Sequence, residues 1–190
     1  MTYAEKTRSA ILWGGPYFMK LDVVYRDPNQ VIGLYGNVCL IVRWNHFSAA
    51  DLSIHRRALT MLQERSPGPI AVLQLNRFIP GTQPGIGMDE AGQRAVRELV
   101  RFHWSAVRSY ALMLSDLPFW IASIRSIYTR MIHYSGKRID MRPFTDLQQA
   151  IHAVCAAMRD PGRPTLEPAD LGAALDELEK QRPTKGEPAR

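Results

Sequence analysis

Between Gln30 and Met158 the chain repeats one alternation, and that order restricts its fold more than any other feature. Two short apolar runs, Gln30-Val-Ile-Gly-Leu-Tyr and Val38-Cys-Leu-Ile-Val, stand side by side with only Gly36-Asn37 between them. Three further compact runs follow: Ile70-Ala-Val-Leu-Gln-Leu, Tyr110-Ala-Leu-Met-Leu and Arg138-Ile-Asp-Met-Arg-Pro. The stretches between these later runs carry helical periods. A hairpin followed by repeated helix–strand crossovers predicts an α/β fold, one mixed five-stranded sheet with helices packed on it.

Glycine and asparagine at the first connection supply the positive backbone angles of a tight hairpin turn. Met19-Lys-Leu-Asp-Val-Val-Tyr alternates like a strand and is a candidate to pair with an edge of the sheet. Ser48-Ala-Ala-Asp51 reads as a helix start, and Leu52, Ala58, Leu59 and Leu62 then form an apolar stripe that ends at Pro67-Gly-Pro69. A loop rich in glycine and proline, Phe78 to Gly87, leads to a helix beginning near Asp89. In that helix Val96, Leu99, Val100 and Trp104 face one way, while Arg94, Arg97 and Arg101 share another. A later helix places Ile121, Ile124, Tyr128, Met131 and Ile132 inward. Thr145-Asp-Leu-Gln148 reads as a capping box opening a helix lined by Leu147, Ile151, Val154, Cys155 and Met158.

Composition bounds the rest. The chain has 190 residues, enough for one well-buried core, and its 46% hydrophobic and 22% charged content is that of a folded domain. No apolar run approaches the roughly 18 residues of a membrane-spanning helix. Ile11-Leu-Trp is broken at once by Gly14-Gly15-Pro16, so a signal peptide is not expected and the cytoplasm is the expected compartment. Residues 1–18 read as an arm and 19–159 as the domain. Residues 160–190 read as a linker, a short helix from Pro168 to Gln181 with a Leu171, Leu175, Leu178 seam, and a disordered tail from Arg182. That helix is expected to be an appendage, too narrow in its seam to stand alone.

The residues that usually carry chemistry are not arranged for it. Five histidines, His46, His55, His103, His133 and His152, form no metal-ligand spacing, and His46 is the most site-like of them. A nucleophile elbow and a phosphate-gripping Gly-Lys-Ser/Thr are missing. Cys39 and Cys155 sit in patterned elements as buried free thiols. The net charge of +6, concentrated between Arg94 and Arg142, favours an acidic partner, anionic lipid or nucleic acid. Nucleic acid fits least, because no aromatic residues interleave with the arginines.

This ordering resembles the STAS or SpoIIAA-like family, the fold of anti-sigma-factor antagonists, over roughly Gln30 to Met158. In antagonist members an Asp-Ser-Ser-Gly motif opens the helix after the third strand. Met88-Asp89-Glu90-Ala91-Gly92 occupies the corresponding place here, with Glu90 and Ala91 where the family has its two serines. The resemblance implies a STAS-like mixed sheet and a partner-docking surface formed by that loop and helix start. It also implies that the phosphorylation switch is replaced by a permanent carboxylate. The expected function is a non-enzymatic regulatory or scaffolding module without cofactor or metal. Its expected partner-binding residues are Thr82, Asp89, Glu90, Gly92, Arg94, Arg97 and Arg101. A protein is the expected partner, with a second copy of the chain (a homodimer) and anionic lipid or another small apolar ligand as alternatives.

Overall fold

The computed structural model describes residues 19–44, 49–66, 68–77, 94, 98, 101, 105–114, 140–160 and 165–183. Its six strands are β1 (Asp22–Arg26), β2 (Gln30–Tyr35), β3 (Val38–Arg43), β4 (Ile70–Asn76), β5 (Val107–Leu114) and β6 (Asp140–Phe144). The helices are α1 (Ala49–Arg65), α2 (Leu147–Ala157) and α3 (Pro168–Lys180), and Arg94, Glu98 and Arg101 also lie in helical backbone. All six strands join one sheet in the order in which they occur in the chain. β2 runs antiparallel to both of its neighbours, β1 and β3, whereas β3 to β6 run parallel.

The hairpin between β2 and β3 turns at Gly36, whose φ of 58° lies in the left-handed region that the turn needs. The sheet has six strands rather than five, because the alternating segment before the hairpin pairs with β2 as the first edge. A register shift between Val23 and Tyr25 kinks that edge. At the far edge, Pro143 removes one donor from β6. Both devices discourage a further strand from adding on.

Every residue of β2, β3 and β4 is buried, which is why these runs read as continuously apolar. The two faces form separate cores. On one, Ile32, Cys39, Ile41, Val72 and Leu112 meet Leu52, Leu59 and Leu62 of α1. On the other, Val31, Leu40, Val42, Leu73 and Met113 meet Ile151 and Val154 of α2 and Leu171, Leu175 and Leu178 of α3. Cys39 and Cys155 are buried and free, one on each side. Burial pushes the Cys39 thiol up to about 12 and the Cys155 thiol up to about 11.

The C-terminal helix read as an appendage is a layer of this second core. It lies across β2 and β3 beside α2, with Leu171, Leu175 and Leu178 almost wholly buried. Its approach is close: a Cβ at Gly33 of β2 would sit 2.9 Å from Leu178 Cδ1 and 2.7 Å from Leu21 Cδ1. Glycine there is what lets helix and sheet meet. Arg182 and Pro183, read as the start of a disordered tail, are packed as well. The Arg182 guanidinium stacks over the Trp44 ring, 4.6 Å from its centroid, and Pro183 is buried.

The capping box is shifted by one residue from the sequence reading. Asp146, not Thr145, is the N-cap of α2, and its Oδ1 accepts from the Gln149 backbone N–H at 2.8 Å. Strand β6 runs to Phe144, so Thr145 belongs to the exit from the sheet and the next side chain takes the cap. Among the described residues no helix is long and apolar enough to cross a membrane.

Candidate functional site

The carboxyl ends of β3, β4 and β5 lie at one end of the sheet, where open α/β sheets hold their ligands and partners. Antiparallel β2 begins at that same end. Pairing register aligns Gln30 with Arg43 and Arg43 with Asn76, one row across three strands. Gln30, Arg43 and Asn76 stand an even number of residues from Ile32, Ile41 and Val72, which pack on the α1 side, so the row faces that helix. Its members are polar yet buried, with Gln30 fully covered and Arg43 4% exposed.

Helix α1 supplies two partners for this row. Asp51, in its first turn, receives Gln30 Nε2 on Oδ1 at 2.8 Å and Arg43 Nη2 on Oδ2 at 3.1 Å. His55, one turn later, places Nε2 3.0 Å from Gln30 Oε1. Because the Gln30 amide nitrogen is spent on a carboxylate, its oxygen must be the acceptor and His55 Nε2 must carry the proton. Burial, reinforced by the positive charge of Arg43, lowers the His55 pKa to about 3. The imidazole is therefore neutral and fixed as one tautomer, a strut between α1 and the hairpin.

The turn into β2 is fastened beside this cluster. Asp27 Oδ1 accepts from the Asn29 and Gln30 backbone N–H groups at 2.6 and 2.8 Å, and Oδ2 accepts from the Tyr25 hydroxyl at 2.7 Å. Burial and that carboxylate push the Tyr25 phenol up to about 12. Further along the sheet, the Tyr110 hydroxyl donates to Gln74, Gln74 Nε2 donates to Asn76 Oδ1 at 3.0 Å, and Asn76 Nδ2 donates to the Met113 carbonyl at 3.3 Å. These bonds brace the strand ends from which the connecting segments depart.

Two of the arginines singled out in the sequence are placed by the structure. Arg94 and Arg101 are helical and exposed. With Glu98 they occupy positions i, i+4 and i+7, one stripe of a helix. Glu98 Oε2 accepts from Arg56 Nη1 of α1 at 3.1 Å, which sets this stripe beside α1 on the same side of the sheet. Thr82, Asp89, Glu90, Gly92 and Arg97 lie outside the described residues, as do His46 and the helix expected over Ile121 to Ile132.

The buried cluster was not singled out in the sequence. A signal for His55 existed: Leu52, His55, Leu59 and Leu62 share helical spacing, so the histidine stands inside the apolar stripe. Gln30 and Arg43 end apolar runs, and only their cross-strand register brings them together. Among the described residues no group of three or more His, Cys, Asp or Glu side chains is placed to hold a metal ion. Compared with protein-family models, with curated proteins and with solved structures, the chain matches none.

Proposed function

We propose that this chain is a non-enzymatic docking module of STAS-like architecture. It binds a protein partner through the helix that starts near Asp89 and the loop leading into it. The observation that carries the reading is the exposed stripe of Arg94, Glu98 and Arg101, with Glu98 tied to Arg56 of α1. A stripe tied to its neighbour at its middle residue and exposing an arginine on either side of that tie is suited to recognition, because rim charges select partners and speed encounter. The braced polar row supports the same reading. Its carboxylate and imidazole are occupied with holding α1 to the hairpin, which gives the departing segments a rigid base.

The resemblance to anti-sigma-factor antagonists adds the role of Glu90. A carboxylate in the first turn of a helix is favoured by the helix dipole and stays charged without any modifying enzyme. In this reading Thr82, Asp89, Glu90 and Gly92 form the tip of the docking surface, and Arg94, Arg97 and Arg101 its flank. The test is affinity capture with the full chain, wild type against Glu90→Lys, read by mass spectrometry, with circular dichroism to establish that both are folded. Partners recovered with the wild type should be lost with the variant. Equal recovery from both would remove this surface as the docking site.

A further inference from the structure

The basic stripe continues onto α1. Core-facing residues of that helix are Asp51, Leu52, His55, Ala58, Leu59 and Leu62, which leaves Ala50, Ser53, Arg57, Thr60 and Glu64 as the exposed line. Arg57 follows directly on Arg56, the residue that grips Glu98. Arg57 stands in the middle of that exposed line, about 100° round α1 from Arg56, and the Arg56–Glu98 pair sets the Arg94–Arg101 stripe beside the same helix. The ion pairs among the described residues use Arg43, Arg56, Arg65, Arg77, Arg108 and Lys180, and none involves Arg57, Arg94 or Arg101. Three exposed guanidinium groups thus frame one internally neutralised pair.

We infer that this two-helix face is the seat of an acidic protein segment, with carboxylates spaced to meet Arg57, Arg94 and Arg101. The inference rests on the docking reading above and names the chemistry of the partner. Two features select a protein over other anions. The exposed line of α1 has no large apolar side chain, so it lacks the wedge by which a helix lies in a lipid interface. Glu64 stands on the exposed line two turns from Arg57, and Arg56 is already engaged by Glu98, so positive charge does not run on unbroken as a continuous phosphate lattice requires. A protein can space its carboxylates to suit such mixed charge, which is how interfaces reject the wrong polyanion.

The probe is a fluorescein-labelled peptide of alternating glutamate and leucine, titrated with the full chain at low and at physiological salt and read by anisotropy. The triple variant Arg57→Glu, Arg94→Glu, Arg101→Glu should weaken binding at least tenfold. A control with the same net charge, Lys20→Glu, Arg159→Glu, Lys180→Glu, reverses exposed residues elsewhere and should change it less than threefold. Equal losses in the two variants would show attraction to overall charge alone and overturn the inference. So would failure of the peptide to bind while phosphatidylserine vesicles or duplex DNA bind through the same arginines. If Glu90→Lys abolishes partner capture but the arginine variant does not, the docking reading stands and this extension of it falls.

Discussion

Arg77, the first residue beyond β4, holds Glu179 in the last turn of α3 through two bonds, Nε to Oε1 at 2.9 Å and Nη2 to Oε2 at 3.2 Å. The two residues are 102 positions apart in the chain. The pair links the point where the segment toward Asp89 leaves the sheet with the helix that covers the sheet's other face. Both side chains are partly exposed, so solvent screens their attraction and its value lies in orientation as much as in energy. A double-mutant cycle of Arg77→Ala and Glu179→Ala, followed by urea denaturation, should give a coupling of about 0.5–1 kcal/mol that shrinks in high salt. A coupling of zero would mean that the bidentate geometry is not held in solution.

Packing of α3 against β2 makes a larger prediction. Leu178 is fully buried above Gly33, and truncation to alanine should cost about 2–5 kcal/mol. Because α3 shares a core with α2 and the sheet, Leu178→Ala should lower the midpoint of one cooperative transition. Circular dichroism and the fluorescence of the tryptophans, of which Trp44 is buried in that core, should then move together. Loss of helical signal ahead of the fluorescence change would show α3 unfolding by itself.

His55 gives the fold an acid limit. Its pKa is about 3 in the folded protein against 6.5 for the free side chain, so between those values the unfolded chain takes up a proton that the native one refuses. The stabilisation is complete above pH 6.5 and is lost as pH falls toward 3, at up to about 1.4 kcal/mol per pH unit for one proton. Urea midpoints measured at several pH values should follow that slope in the wild type. In His55→Gln, which keeps a hydrogen-bonding amide but cannot titrate in this range, the His55 contribution to the slope should vanish. An unchanged slope would assign the acid sensitivity to other groups.

The legibility of this chain divides along physical lines. The hairpin at Gly36, the three strands that follow it and the stripes of α1 and α2 were readable because burial periodicity is written locally. Strand β1 was visible as alternation, but its pairing with β2 is a contact between segments and no local pattern specifies it. The integration of α3 was missed for a related reason. Its seam of Leu171, Leu175 and Leu178 looks narrow in isolation, and the bareness of Gly33 that admits it lies far away in sequence. Gln30, Arg43, Asp51 and His55 stayed hidden because each is ordinary alone and acquires meaning only from cross-strand register. The exposed placement of Arg94 and Arg101 follows the amphipathic pattern from which it was read.

The seating of α3 on β2 and β3 also has a consequence for biogenesis. The hairpin is among the first parts of the domain to emerge from the ribosome, and the helix that shields one of its sides emerges only after every other strand. Throughout that interval Val31, Leu40 and Val42 have no lid on that side, a window in which a nascent chain is open to chaperones and to mispairing with its neighbours. Expression of versions shortened before Pro168 should therefore shift from the soluble fraction toward inclusion bodies.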